Sequence, residues 1–263
     1  MTTTQFAATY VTANLGEDAS AFDISRFLSL KSKLDVVRPS SHEGYTIGVL
    51  SAILCAQRRG DAVPALFRAA TQDATQEMVK MTFITVRECI TLINPYVGIP
   101  SCMPAIIGLV GELRHRGIDS VPSPKRPGFD KCDWNAEGDR MRETLYGGVG
   151  NQEGLAFISN HWPDFAHYAY TAVFGYLYGS RLLSTRESEL IVASAILGQG
   201  ATRQARIHCK VALKLGNAIE ILKEVVDAAV VVGIWNNSPL PVTVDVEECA
   251  EQLKDSLSKR GMP

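Results

Sequence analysis

The residue best placed to move protons is His208. It lies in the segment 202–215 (TRQARIHCKVALKL), where Arg206, Lys210 and Lys214 recur at i, i+4 and i+8 as a polar stripe. A helix turns about 100° per residue, so His208 falls on the opposite side with Ala205, Ala212 and Leu215. An imidazole among small residues on a buried face needs a hydrogen-bond partner or a cavity. Nineteen residues earlier stands the matching oddity, Glu189, a carboxylate leading the otherwise largely apolar segment 189–197 (ELIVASAIL). A buried carboxylate facing a buried imidazole holds the ring in one tautomer, the arrangement a general base needs. Two blander readings stay open: a closed structural pair, or Glu189 as a favourable charge near a helix N-terminus.

Other chemistries lack their residues. The chain has no P-loop, no H-E-x-x-H, no G-x-S-x-G and no C-x-x-C. Gly147-Gly148-Val149-Gly150 is glycine-rich but lacks the spacing and the preceding strand of a dinucleotide fold. No two histidines have ligand spacing, so no metal and no cofactor is expected.

The elements that must position His208 and Glu189 are helical. Residues 45–57, 62–73, 77–93, 103–116, 137–146, 163–179, 185–197, 202–215 and 218–234 are runs of helical length, broken by Gly, Pro, Asn or Asp clusters. Ser184-Thr185-Arg186-Glu187 is a capping box leading into the segment that carries Glu189. Only short stretches such as 240–246 (LPVTVDV) alternate, so the chain reads as all-α. In the run 163–179, Phe165, Tyr168 and Ala172 share a face, as do Tyr170, Phe174 and Tyr178. An aromatic stripe at helical spacing reads as core or oligomer interface ahead of substrate pocket.

A Pro-rich connection at 119–133 (DSVPSPKRPGFDKCD) separates residues 20–118 from residues 134–263. The two sides look related. Ser51-Ala52-Ile53-Leu54 recurs as Ser194-Ala195-Ile196-Leu197, and Pro95-Tyr96-Val97-Gly98-Ile99 parallels Val231-Val232-Gly233-Ile234, so we read an internal duplication. Aligning the two S-A-I-L segments puts Thr46 where Glu189 stands and Ala65 where His208 stands; one residue of slip gives Ile47 and Leu66. The first copy therefore lacks acid–base groups at these positions, and one site per chain is expected, with the first repeat as scaffold or pocket wall.

At these residues the sequence resembles the carboxymuconolactone decarboxylase family. The features are Phe174-Gly175, Arg181 and Leu183, then Arg186-Glu187 and Glu189-Leu190-Ile191, then His208, Ala212-Leu213 and Gly216, and an apolar helix ending near Gly233. Residues 137–147 look like the family's charged first helix, and Arg87-Glu88 with Tyr96-Val97-Gly98-Ile99-Pro100 is similar to a degenerate first repeat. The resemblance implies an alkylhydroperoxidase D-like helical fold, here a tandem pseudo-dimer, which forms homo-oligomers. It also implies a cofactor-free lyase of decarboxylase type in specialised metabolism, acting on a small carboxylated or polyoxygenated cyclic substrate. His208 would be the acid/base and Glu189 its orienter. Arg203 or Arg181 would grip a carboxylate, and Gln199 and Gln204 would donate to an oxyanion. Isomerisation, dehydration or ring cleavage at the same site are alternatives, as is a non-enzymatic binding or scaffold role. Thiol peroxidases of the same superfamily carry E-x(11)-C-x(2)-C-x(3)-H; counted from Glu189, the cysteine positions fall on Ala201 and Gln204. Both sulfurs are missing, which disfavours that activity.

Composition bounds the partners. The 263 residues are 46% hydrophobic and 21% charged with a net charge of −2, and no Lys/Arg run is longer than Arg58-Arg59. Nucleic-acid binding needs a concentrated basic face, which is absent, and no stretch approaches the ~18 uninterrupted apolar residues of a spanning helix. The N-terminal residues fit neither a secretory nor a mitochondrial leader. The dispersed cysteines (Cys55, Cys89, Cys102, Cys132, Cys209, Cys249) read as reduced core thiols, and a cytoplasmic location is expected.

Overall fold

The computed structural model describes residues 9–37, 40–122, 126–149, 152–180 and 182–259. Among these residues no strand forms, and the all-α reading holds. In chain order the helices are α1 (Ile24–Val37), α2 (Tyr45–Ala56), α3 (Ala62–Ala70), α4 (Gln76–Val97), α5 (Ile99–His115), α6 (Trp134–Tyr146), α7 (Gln152–His161) and α8 (Pro163–Tyr168). A π-helical segment (Ala169–Leu177) follows, then α9 (Thr185–Gly198), α10 (Thr202–Lys214), α11 (Ile219–Trp235) and α12 (Val246–Ser258).

Burial follows from the apolar patterning. Helices with no polar face belong at the centre of a bundle. In α2 every residue from Tyr45 to Cys55 is buried, and in α9 every residue from Glu187 to Gly198. These two pack against each other, and both pack on α4. Their matching serines solve the same problem in the same way: Ser51 Oγ donates to the Ile47 carbonyl at 2.7 Å and Ser194 Oγ to the Leu190 carbonyl at 2.6 Å. A hydroxyl that bonds four residues back is satisfied without leaving the helix. α10 and α11 flank α9, α3 packs on α5, and α12 lies on α10 and α11. The buried side chains form a hydrophobic cluster drawn from both sides of the Pro-rich connection. From that connection, Arg126 is ion-paired with Glu88 of α4 and donates to the Leu177 carbonyl at 2.8 Å.

Of the labelled helices, α1, α7 and α12 lie outside the runs read from periodicity. α1 buries only Phe27, Leu30 and Leu34, and α12 only Val246, Cys249 and Leu253. Both use i, i+3, i+7 spacing with charged residues between, a narrow stripe that is easily taken for loop. α4 runs four residues past its expected end, through Pro95, and stops at Gly98, whose φ of 87° suits glycine. The expected single helix over 163–179 changes register midway. Tyr178 N–H donates to the Val173 carbonyl five residues back at 3.2 Å, the spacing of a π-helix. Among the described residues, no helix is long and apolar enough to cross a membrane.

Candidate functional site

The capping box expected at Ser184 forms. Glu187 N–H donates to Ser184 Oγ at 3.3 Å and Ser184 N–H donates to Glu187 Oε2 at 2.7 Å. With the first turn of α9 pinned, Glu189 falls on the side facing α10 and is 0% exposed. α10 supplies His208, 6% exposed, whose Nδ1 lies 2.7 Å from Glu189 Oε1. A carboxylate oxygen accepts, so Nδ1 carries a hydrogen and Nε2 is the ring nitrogen turned away from the carboxylate. The pair expected from the sequence is therefore in contact and out of water.

Three tyrosines complete the surroundings. Tyr178 donates its hydroxyl to Glu189 Oε2 at 2.6 Å, so both carboxylate oxygens are bonded. The Tyr146 hydroxyl lies 3.4 Å from His208 Nε2, at the long end of hydrogen-bond distance. The Tyr96 ring stands at 84° to the imidazole with centroids 6.1 Å apart, and the Tyr146 ring stands at 80° with centroids 6.0 Å apart. Burial pushes the Tyr178, Tyr146 and Tyr96 phenols above their ordinary value, and the negative charge of Glu189 adds to the shift of each. All three are thus neutral hydroxyl donors throughout the physiological range.

The elements that carry these tyrosines approach unusually closely. Tyr146 ends α6, Tyr178 follows the π-helical segment, and these two elements pack together over their length. A Cβ at Gly138 would lie 1.9 Å from the Tyr170 carbonyl oxygen, and one at Gly175 would lie 2.2 Å from the Trp134 carbonyl oxygen. Only glycine permits that contact. The end of α6 is held by Lys214, whose Nζ donates to the Thr144 carbonyl at 2.9 Å.

The remaining sequence candidates sit elsewhere. Arg203 and Gln204 are exposed on the first turn of α10. Gln199 is exposed, and its Nε2 donates to the Tyr96 carbonyl at 2.7 Å, so it braces a wall of the site. Arg181 lies outside the described residues. Cys209 is buried, and burial raises its thiol well above the usual cysteine range, with Cys249 and Glu189 adding to the effect. That is the opposite of an activated nucleophile. In the first half, Thr46 donates to Asp35 Oδ1 at 2.7 Å, a closed contact with α1.

Sequence reasoning missed Tyr96 and Tyr146, and it placed Tyr178 in a core stripe. The signals were present: Tyr146 closes the charged first helix of the second half, and Tyr96 stands in the Tyr-Val-Gly-Ile-Pro segment. The stripe reading holds in part, with Phe174 and Tyr178 buried. Phe165 and Tyr168 of the other face are exposed, as are Phe157 and Trp162. Compared with known proteins, the chain matches no family model and no curated protein.

Proposed function

We propose that this chain is a lyase of the carboxymuconolactone decarboxylase-like type, in which His208 transfers a proton on a small carboxylated or polyoxygenated cyclic substrate. The observation that carries the reading is the buried Glu189–His208 contact at 2.7 Å, which fixes the ring and leaves Nε2 as the reactive nitrogen. In a decarboxylation, the bond to the substrate carboxylate breaks and carbon dioxide leaves. The electron pair passes into the ring as an enolate, and the imidazolium Nε2–H delivers a proton to carbon. Solvent then reprotonates His208. Glu189 stabilises the imidazolium and, once Nε2 has given up its proton, holds the neutral ring in the Nδ1–H tautomer, while Tyr178 holds Glu189. An isomerisation would use the same nitrogen to remove a proton from one carbon and return it to another. In this reading Arg203 and Gln204, exposed at the start of α10, would meet an anionic group of the substrate.

The two-repeat, alkylhydroperoxidase D-like architecture belongs to the same proposal. Its support is the exchange of equivalent partners: α2 and α9 pack on each other, and both contact α4 and α11. Reciprocal bonds join the halves, with Gln57 Nε2 on the Gly198 carbonyl at 2.6 Å and Gln199 Nε2 on the Tyr96 carbonyl at 2.7 Å. Homo-oligomerisation would use the exposed aromatics Phe157, Trp162, Phe165 and Tyr168.

The test is a screen of cyclic carboxylates and carboxylated lactones for carbon dioxide release or a change in ring absorbance, with wild-type chain and His208→Gln side by side. Turnover that disappears in the variant is expected. Turnover that survives it unchanged removes His208 from the chemistry.

A further inference from the structure

We propose that Tyr96, supplied by the first half of the chain, donates its hydroxyl hydrogen to a substrate oxygen that gains negative charge during the reaction. The inference rests on the proton-transfer reading of His208 and gives the non-catalytic half a direct part in the site.

The first observation is an unbalanced hydrogen-bond account. Tyr178 is bonded to Glu189, and Tyr146 makes its long contact with His208. The Tyr96 hydroxyl, in the same cluster, is buried and makes no hydrogen bond at ordinary distance among the described residues, its one polar neighbour being the Tyr178 hydroxyl, which is itself committed to Glu189. Buried polar groups are nearly always satisfied, and one that is not calls for a partner from outside the chain, water or ligand. The second observation is its position. The Tyr96 ring packs edge-on against the His208 imidazole, 6.1 Å between centroids, and its hydroxyl lies within electrostatic reach of Glu189, Tyr178 and Tyr146.

The third observation is rigidity. Tyr96 sits in the last turn of α4, between Pro95 and the Gly98 that ends the helix, and its carbonyl is gripped by Gln199 from the second half. The phenol is thereby preorganised, which is what a donor aimed at developing charge requires. Its hydroxyl stays protonated well above neutral pH, because burial and the Glu189 charge disfavour the phenolate. The chemistry that fits is an enolate or phenolate oxygen, met by a neutral O–H beside an imidazole that handles the carbon-bound proton.

The experiment uses the full chain and para-nitrophenol as an enolate mimic whose absorbance reports its ionisation. Wild-type protein is expected to bind the probe as the phenolate, and Tyr96→Phe to bind it about tenfold more weakly or worse, about 1.4 kcal/mol. The variant keeps the ring and removes only an unsatisfied hydroxyl, so its Tm should stay level or rise. Three results overturn the proposal: no probe binding by the wild type, equal binding by Tyr96→Phe, or a lowered Tm that shows the hydroxyl to be structural. Turnover of His208→Gln is read separately and does not involve the probe, so either reading can fail alone.

Discussion

At the scale of residues, the site is a carboxylate and an imidazole stripped of water and surrounded by neutral phenols. Glu189→Gln removes the charge opposite Nδ1 while keeping the shape, and a loss of activity of about 10²-fold or more is expected. A full-length steady-state assay with the substrate found by screening checks it; an active Glu189→Gln would leave only a packing role for that residue. The same burial makes a prediction for alkaline pH. Tyr45, Tyr96, Tyr146 and Tyr178 all have phenols raised above their ordinary value, chiefly by burial. A group with a raised folded value contributes stability that is whole below its unfolded value, about pH 10 for tyrosine, and that is lost as pH rises past it. These four should therefore ionise together with unfolding, seen as coincident tyrosinate absorbance and loss of helical circular dichroism. Ionisation well before unfolding would contradict their burial. Cys209 answers to the same cause: its raised, buried thiol should resist a disulfide reagent at mildly alkaline pH until the chain is denatured. Prompt labelling of Cys209 in the native chain would reopen the thiol route.

At the scale of elements, the close crossing of α6 and the π-helical segment positions both Tyr146 and Tyr178. Gly138→Ala or Gly175→Ala must push a backbone carbonyl aside, since the added carbon would lie 1.9 Å or 2.2 Å from it. We expect a destabilisation of about 1–3 kcal/mol from the overpacking, together with reduced activity as the two phenols shift. Chemical denaturation with parallel activity measurement checks both; a variant that unfolds earlier yet retains full turnover would detach the crossing from the site. This crossing also marks where the sequence stopped being legible. Glu189 and His208 could be found because each stands out on a helix of regular period with a clear polar or apolar face. The π-register could not, because a helical repeat written as i, i+4, i+8 looks the same in sequence whichever carbonyl closes the turn. Tyr178 was accordingly read with the core stripe of Tyr170 and Phe174. Tyr96 was hidden for another reason: it reaches His208 from the other half of the chain, a contact that local periodicity does not encode.

At the scale of the whole molecule, the central question is whether the two halves are separate bodies joined by a tether or parts of a common core. The Pro-rich connection at 119–133 suggested a boundary in the sequence, and the packing gives that boundary a particular meaning. α2 and α9 are each buried on nearly every side, and each supplies part of the other's cover. Removing residues before 134 would expose the face of α9 that lies on α2 and α4, leave Gln199 without the Tyr96 carbonyl, and strip Tyr96 from His208. An apolar face of that extent does not persist in water. Residues 134–263 expressed alone should therefore be insoluble or self-associated, with α9 covered by a second copy, and never a folded monomer. Light scattering on the purified fragment distinguishes these states. The intact chain, by the same argument, should unfold in one transition, its near-ultraviolet and far-ultraviolet signals coinciding. Two separated transitions, or a folded monomeric fragment, would mean that the second half carries its own core and that Tyr96 is an addition to a site already complete.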